Sequence, residues 1–154
     1  MLLTIGQTDS PELRVLIDRF RDRINRYVPF EIECIPDVKT NSGKEIADLK
    51  FREGQQIVKK ILPQDAVWIL DEKGKSFDSR GLANHIQKAM NAGPKRLVLI
   101  IGGAFGFDAA VKEKANDSLS LSKLTFNHQV VRLMAVEQIY RALSILKGDP
   151  YHND

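Results

Sequence analysis

Leu97-Val98-Leu99-Ile100-Ile101-Gly102-Gly103-Ala104-Phe105-Gly106 is the stretch that decides how this chain folds. Five consecutive apolar residues do not alternate in and out as a half-exposed strand would. They read as a central strand of a parallel sheet, covered by helices on both faces. Glycines follow at once, and a glycine-rich turn lets a ligand approach the backbone closely. In open α/β sheets, ligands bind beyond the carboxyl ends of the strands, so this one segment points to both the fold and the site.

Working outward, strand and helix signals alternate. Leu2–Ile5 is a short apolar strand. Ser10-Pro11-Glu12 then supplies an N-cap, a proline at the first helical position and an acid in the first turn. Leu13, Leu16, Ile17, Phe20, Ile24 and Tyr27 follow at helical spacing, up to Pro29. Residues 30–35 alternate apolar and acidic side chains and predict a half-buried strand. Residues 37–44 are polar and turn-rich. A second helix is expected over 45–61, with Ile46, Leu49, Ile57 and Ile61 inward.

Residues 66–70 predict a buried strand ending in the turn Asp71-Glu72-Lys73-Gly74. Ser79 is placed to cap a third helix running to Asn91, broken by Gly93-Pro94. Past the glycine loop come a short helix over 108–114, a final strand over 119–126 and a last helix over 130–146. That last helix is apolar nearly all round, which marks it as deeply buried or as an oligomer interface. The expectation is one α/β domain spanning residues 1–154, a mostly parallel sheet flanked by helices.

Bulk properties exclude several classes. The 154 residues are 43% hydrophobic and 28% charged, a globular composition. No apolar run approaches a membrane span, and Met1-Leu2-Leu3-Thr4-Ile5 has neither a basic region nor a cleavage site, so no membrane association and no secretory signal are expected. A lone thiol, Cys34, in an apolar stretch, reads as a buried, inert side chain in a reducing cytoplasm. No Cys/His cluster suggests a metal. The net charge of +3 is compatible with RNA without demonstrating it.

The glycine loop is neither a dinucleotide fingerprint nor a P-loop: it reads GGxxG, with no Lys-Ser/Thr after the last glycine. Alone it is equally a tight turn. The ordered series is more specific: an apolar strand, Gly102-Gly103-Ala104-Phe105-Gly106, then Leu119-Ser-Leu-Ser-Lys-Leu-Thr125, Asn127-His128, Arg132, Glu137 with Arg141, and Pro150-Tyr151-His152. Together with the Leu70-Asp71-x-x-Gly74 turn, this series resembles the SPOUT, or α/β-knot, methyltransferases over essentially the whole chain. More narrowly it is similar to the small bacterial family that methylates N3 of a pseudouridine in 23S ribosomal RNA.

The resemblance implies a deep trefoil knot in the C-terminal part, which general fold rules would make improbable. It implies S-adenosylmethionine as methyl donor, contacted by Leu70, Gly102, Gly103, Leu121, Ser122, Lys123, Leu124, Thr125 and Phe126. It implies a homodimer with the knot and last helix at the interface, acting on 23S rRNA in the large subunit or whole ribosome. The candidate catalytic residues are His128, Arg132, Glu137, Tyr151 and His152. Each also has an ordinary reading: Arg132 as an ion pair, Glu137 with Arg141 as an i,i+4 pair, His128 as a helix cap, Tyr151 and His152 as a frayed terminus. Lys39, Lys44, Lys50, Arg132 and Arg141 are expected on an RNA-facing surface.

The chain departs from the family's usual pattern at Ala104-Phe105, at Gln129 after the histidine and at Asn153-Asp154. A knotted RNA- or ribosome-binding protein without activity, and a flavodoxin-like module without a knot, remain alternatives at this point.

Overall fold

A computed structural model describes residues 1–38 and 46–151. Among them five strands and five helices alternate: β1 Leu2–Ile5, α1 Pro11–Ile24, β2 Ile32–Ile35, α2 Ile46–Lys60, β3 Asp65–Ser76, α3 Ser79–Asn91, β4 Arg96–Ile101, α4 Ala109–Lys114, β5 Asp117–Ser120 and α5 Val130–Lys147. The strands form one all-parallel sheet in the order β2-β1-β4-β3-β5. The α/β class with a parallel sheet is therefore as the sequence predicts.

The period of two along each strand divides the core between two layers. Leu2, Trp68, Leu99 and Ile101 pack toward α1, α3 and α5 on one face. Leu3, Val67, Ile69, Val98 and Ile100 pack on the other face, against Ile57 of α2 and Val111 of α4. In β4 every residue from Val98 to Ile101 is buried, so the strand has no polar side to alternate with. The oily α5 lies between α1 and α3, where Ala135, Val136, Ile139, Ala142 and Leu143 fill the first layer. Burying a side chain such as Val136 or Leu143 contributes about 1.5–3 kcal/mol.

Helix starts follow the expected chemistry more closely than helix ends. Ser10 Oγ accepts from Leu13 N at 3.3 Å, with Pro11 as the first helical residue. α1 stops at Ile24, however, short of Pro29. The side chain of Asn25 ends it by donating to the Arg21 and Phe30 carbonyls and accepting from Phe30 N at 2.9 Å. α3 is capped by Asp78, not Ser79: Asp78 Oδ1 accepts from Gly81 N at 2.6 Å. A carboxylate in the extended conformation has reached the N3 amide first.

Three further expectations need correction. The segment 71–74 does not end β3, which runs on to Ser76. Leu70 and Lys75 both pair with Leu119, so residues 71–74 leave the ladder as an excursion within the strand. Gly74 permits this, since a Cβ there would lie 2.5 Å from the Leu119 carbonyl carbon. The last strand covers Asp117–Ser120, not 119–126. Its start is fixed upstream, where Asn116 bonds both ways with the Val67 backbone at 2.7 Å. Its end is fixed by side chains competing for backbone: Ser120 Oγ donates to Ser122 O, and Leu124 N donates to Ser122 Oγ. Finally, Cys34 is exposed, because β2 is an edge strand and the thiol lies on its less covered side.

Candidate functional site

The strand order brings the exits of β3, β4 and β5 side by side at one end of the sheet, as expected for an open α/β fold. Between them lies a cavity of about 570 Å³, within the usual range for a small-molecule site. Leu70, Gly102, Gly103, Leu121, Ser122, Leu124, Thr125 and Phe126, all named from the sequence, line it. Lys123 does not line it, although its neighbours do. His128 lies at the same wall.

The cavity's chemistry comes from its construction. Leu70, Ile101, Leu119 and Leu121 give it an apolar floor, while Gly102 and Gly103 put bare backbone on one side. Asp71, Glu72, Lys73, Lys50 and Lys112 surround the opening, with Lys112 Nζ 3.9 Å from Asp71 Oδ2. Phe105 and Leu124 are held out toward solvent, 49% and 73% exposed. Flat apolar walls with adjacent main-chain donors and acceptors suit an adenine ring and the ribose attached to it. The residues present therefore fit an adenosyl group.

A smaller cleft of about 210 Å³ adjoins this cavity, sharing Gly103, Ala104, Phe105 and His128 as its wall. Arg132 lines the cleft and not the cavity. It is not on the outer surface where an RNA contact was expected: only 3% of it is exposed. Its Nη2 donates to Ile5 O at 2.6 Å and its Nη1 to Thr8 Oγ1 at 3.1 Å, which ties α5 to the end of β1. Burial holds its pKa below that of a free guanidinium. Gln129 reinforces the same junction, accepting from Asp9 N at 2.9 Å and donating to Asp9 Oδ2 at 3.0 Å. Glutamine at this position thus has a structural use.

Glu137, Arg141 and Tyr151 form a separate cluster further along α5. Arg141 Nη2 donates to Glu137 Oε1 at 2.6 Å, and Tyr151 Oη donates to the same oxygen at 3.2 Å. The Arg141 guanidinium stands 4.9 Å from the centre of the Tyr151 ring, whose edge packs on Tyr140. Burial and the Glu137 carboxylate raise the Tyr151 phenol. These residues line neither the cavity nor the cleft of their own chain. His152, Lys39 and Lys44 lie outside the described residues.

One residue in the cleft was not picked out from sequence. Glu53 of α2 is 7% exposed, against the Gly103 backbone: a Cβ on Gly103 would stand 2.5 Å from Glu53 Oε2. The signal was present in the spacing. Leu49, Glu53, Ile57 and Ile61 succeed one another at intervals of four, so a carboxylate occupies the apolar stripe of its helix.

Comparison with known proteins agrees with this geometry. The family described as "Predicted SPOUT methyltransferase" matches residues 1–152. A protein of Parabacteroides distasonis called ribosomal RNA large subunit methyltransferase H is 44% identical over 153 residues, covering 99% of this chain and 98% of its own. Proteins of the same name from Christiangramia forsetii and Porphyromonas gingivalis are 46% identical over 152 residues and 40% over 154. They cover 99% and 100% of this chain, and 97% and 98% of their own. The chain belongs to the SPOUT methyltransferase family. It is a methyltransferase, built around the cavity at the ends of β3, β4 and β5.

Proposed function

We propose that this protein methylates N3 of a pseudouridine in 23S ribosomal RNA, using S-adenosylmethionine and acting as a cytoplasmic homodimer on the large subunit or whole ribosome. The observation that carries this reading is the cavity itself. Three separate connections converge on it, and eight of the nine residues carried over from the family for donor binding line it. The relatives' name supplies the RNA class. The donor, when bound, supplies an electrophilic methyl group.

The chain's own residues then hold, orient and exclude water. Leu70 and Leu121 flank a flat ring, Gly102 and Gly103 admit it against the main chain, and residues 121–126 close over it. Lys123 is left for solvent or RNA. Alignment of donor and acceptor at about 3–3.5 Å is the main catalytic contribution in a displacement of this kind.

A single knotted domain over residues 1–154 belongs to the same reading. β5 lies at one edge of the sheet, beyond β3, yet α5 begins at the end of β1, where Arg132 meets Ile5. The intervening chain must cross the ends of β3 and β4 beside the glycine loop, a path that supports threading. The dimer gives a role to the cluster of Glu137, Arg141 and Tyr151. Remote from its own cavity, it is available, with His152, to the cavity of a second copy.

The test is transfer of labelled methyl from S-adenosylmethionine to free 23S rRNA, isolated large subunits and whole ribosomes. Incorporation at a pseudouridine N3, located by mass spectrometry, is expected with one of the assembled particles. Binding of the donor without transfer to any of the three overturns the reading in favour of a non-catalytic RNA-binding protein.

A further inference from the structure

The small cleft beside the cavity contains two charged side chains whose bonding is incomplete. Arg132 and Glu53 are both more than nine-tenths buried, and both line it. Arg132 uses its two terminal nitrogens on Ile5 and Thr8, but its enclosed Nε has no hydrogen-bond partner. No carboxylate forms an ion pair with it among the described residues. Glu53 makes no hydrogen bond or ion pair among those residues at all. Its carboxylate oxygens are not fully enclosed and face the cleft, in a residue otherwise packed away from solvent. Folded proteins seldom leave a mostly buried carboxyl without a partner, because its desolvation is then poorly compensated. Where one persists beside a cavity, a ligand that completes it is the economical explanation.

The shape and neighbours of the cleft narrow the ligand. At about 210 Å³ it has room for one six-membered ring and not for a nucleotide. Its wall of Gly103, Ala104, Phe105 and His128 is also the wall of the donor cavity, so a ring seated here adjoins a donor seated there. A uracil-type base presents a carbonyl, an N–H and a second carbonyl along one edge. A carboxylate complements the central N–H, and a nearby guanidinium offsets the charge that develops when that proton leaves.

We propose that this cleft is the pocket for the acceptor base, that Glu53 accepts the imide proton, and that Arg132 stabilises the resulting anion by its fixed positive charge. The inference deepens the methyl-transfer reading above and rests on it. In the step, the N3–H bond breaks and its proton passes to a Glu53 carboxylate oxygen. The N3 electron pair forms the N–CH3 bond, while the CH3–S bond breaks with its electrons retained by sulfur. Glu53 then returns the proton to solvent. Burial, with Asp37 nearby, moves the Glu53 carboxyl above its ordinary range, which makes it a stronger base than an exposed carboxylate. Arg132, His128, Asp9 and Asp37 line the same cleft and set the field in which it titrates.

The decisive variant is Glu53→Gln in the full-length protein, compared with wild type for S-adenosylhomocysteine affinity, thermal midpoint, kcat, KM and pH–rate profile on assembled ribosomal particles. The expected result is unchanged affinity, a midpoint no lower than that of wild type, KM within a few-fold, and kcat lower by about 100-fold or more, the usual range for loss of a general base. Wild type should show an acid limb above the ordinary carboxylate range that the variant lacks, and Glu53→Asp should recover part of kcat. A Gln variant within threefold of wild-type kcat, or one retaining the limb, overturns the proposal. So does joint loss of homocysteine-product affinity and activity, which would make Glu53 a support for the Gly103 loop. Wild type inactive on every particle would instead overturn the methyl-transfer reading.

Discussion

The cavity and the cleft share a wall and are built on opposite plans. The cavity is made largely of contiguous chain: each of its three sides is a short run of residues leaving a strand, and leucines and glycine backbone share its surface with serine, threonine and charged side chains. The cleft gathers residues from five places, the ends of β1 and β2, α2, the glycine loop and the start of α5, and its character comes from the buried charges Glu53 and Arg132. The difference teaches that a site for a flat ring held against main chain can be encoded locally. A site for proton chemistry needs groups that low-dielectric surroundings have detached from water, and these come from distant parts of the chain.

The largest blow to this division of labour is expected from Gly74→Ala. The added methyl meets the Ser118–Leu119 backbone, its nearest atom 2.5 Å away, and main chain cannot swing aside as a side chain would. A loss of about 1–3 kcal/mol is expected from overpacking, read as a lowered urea midpoint. Donor-product affinity should fall with it, because residues 121–126 follow directly on β5. If affinity survives, the cavity does not depend on the β3–β5 register.

Leu121→Ala tests the comparison more narrowly. It should weaken S-adenosylhomocysteine binding by about tenfold, corresponding to roughly 1.4 kcal/mol of lost contact, while kcat at saturating donor changes little. That is the reverse of the pattern expected for Glu53→Gln. If calorimetry and kinetics show both variants losing affinity and kcat alike, cavity and cleft are one site, not two.

The smallest effect is on stability against pH. Glu53 has a raised pKa in the fold, so the folded protein binds that proton more tightly than the unfolded chain. Its favourable contribution is fully present below the ordinary carboxylate range and disappears as pH rises through the raised value. Glu53→Gln does not titrate. The variant should therefore gain stability relative to wild type between mildly acidic and neutral pH, and match it in acid. Urea titrations at the two ends of that window check the sign, and a gap that opens in acid instead contradicts it.

What could be read from the sequence follows the same contrast. The β4 run and its glycines are one uninterrupted signal, and Ser10-Pro11 is self-contained, so both appear where expected. The C-terminal end of α1 was misplaced because Asn25, and not Pro29, captures the last carbonyl, a competition that composition does not announce. The last strand was placed too late because Asn116 fixes its start through a strand 49 residues away. Arg132 looked like a surface residue because nothing local shows that Ile5 O would be beside it. Glu53 was the recoverable omission, since its place in the stripe from Leu49 to Ile61 requires only helical periodicity.

The bond from Arg132 to Ile5 joins residues 127 apart in the chain. Such a contact cannot help to start folding, because the entropy of closing so long a loop must be met before the bond contributes anything. It belongs among the last to form, after β1 has entered the sheet and residues 121–129 have travelled across it. During synthesis the sheet and the first four helices can assemble early, but the donor cavity gains its final wall only when α5 docks. Docking of α5 thus completes cavity and cleft in one event, since Val131 lines the first and Arg132 the second.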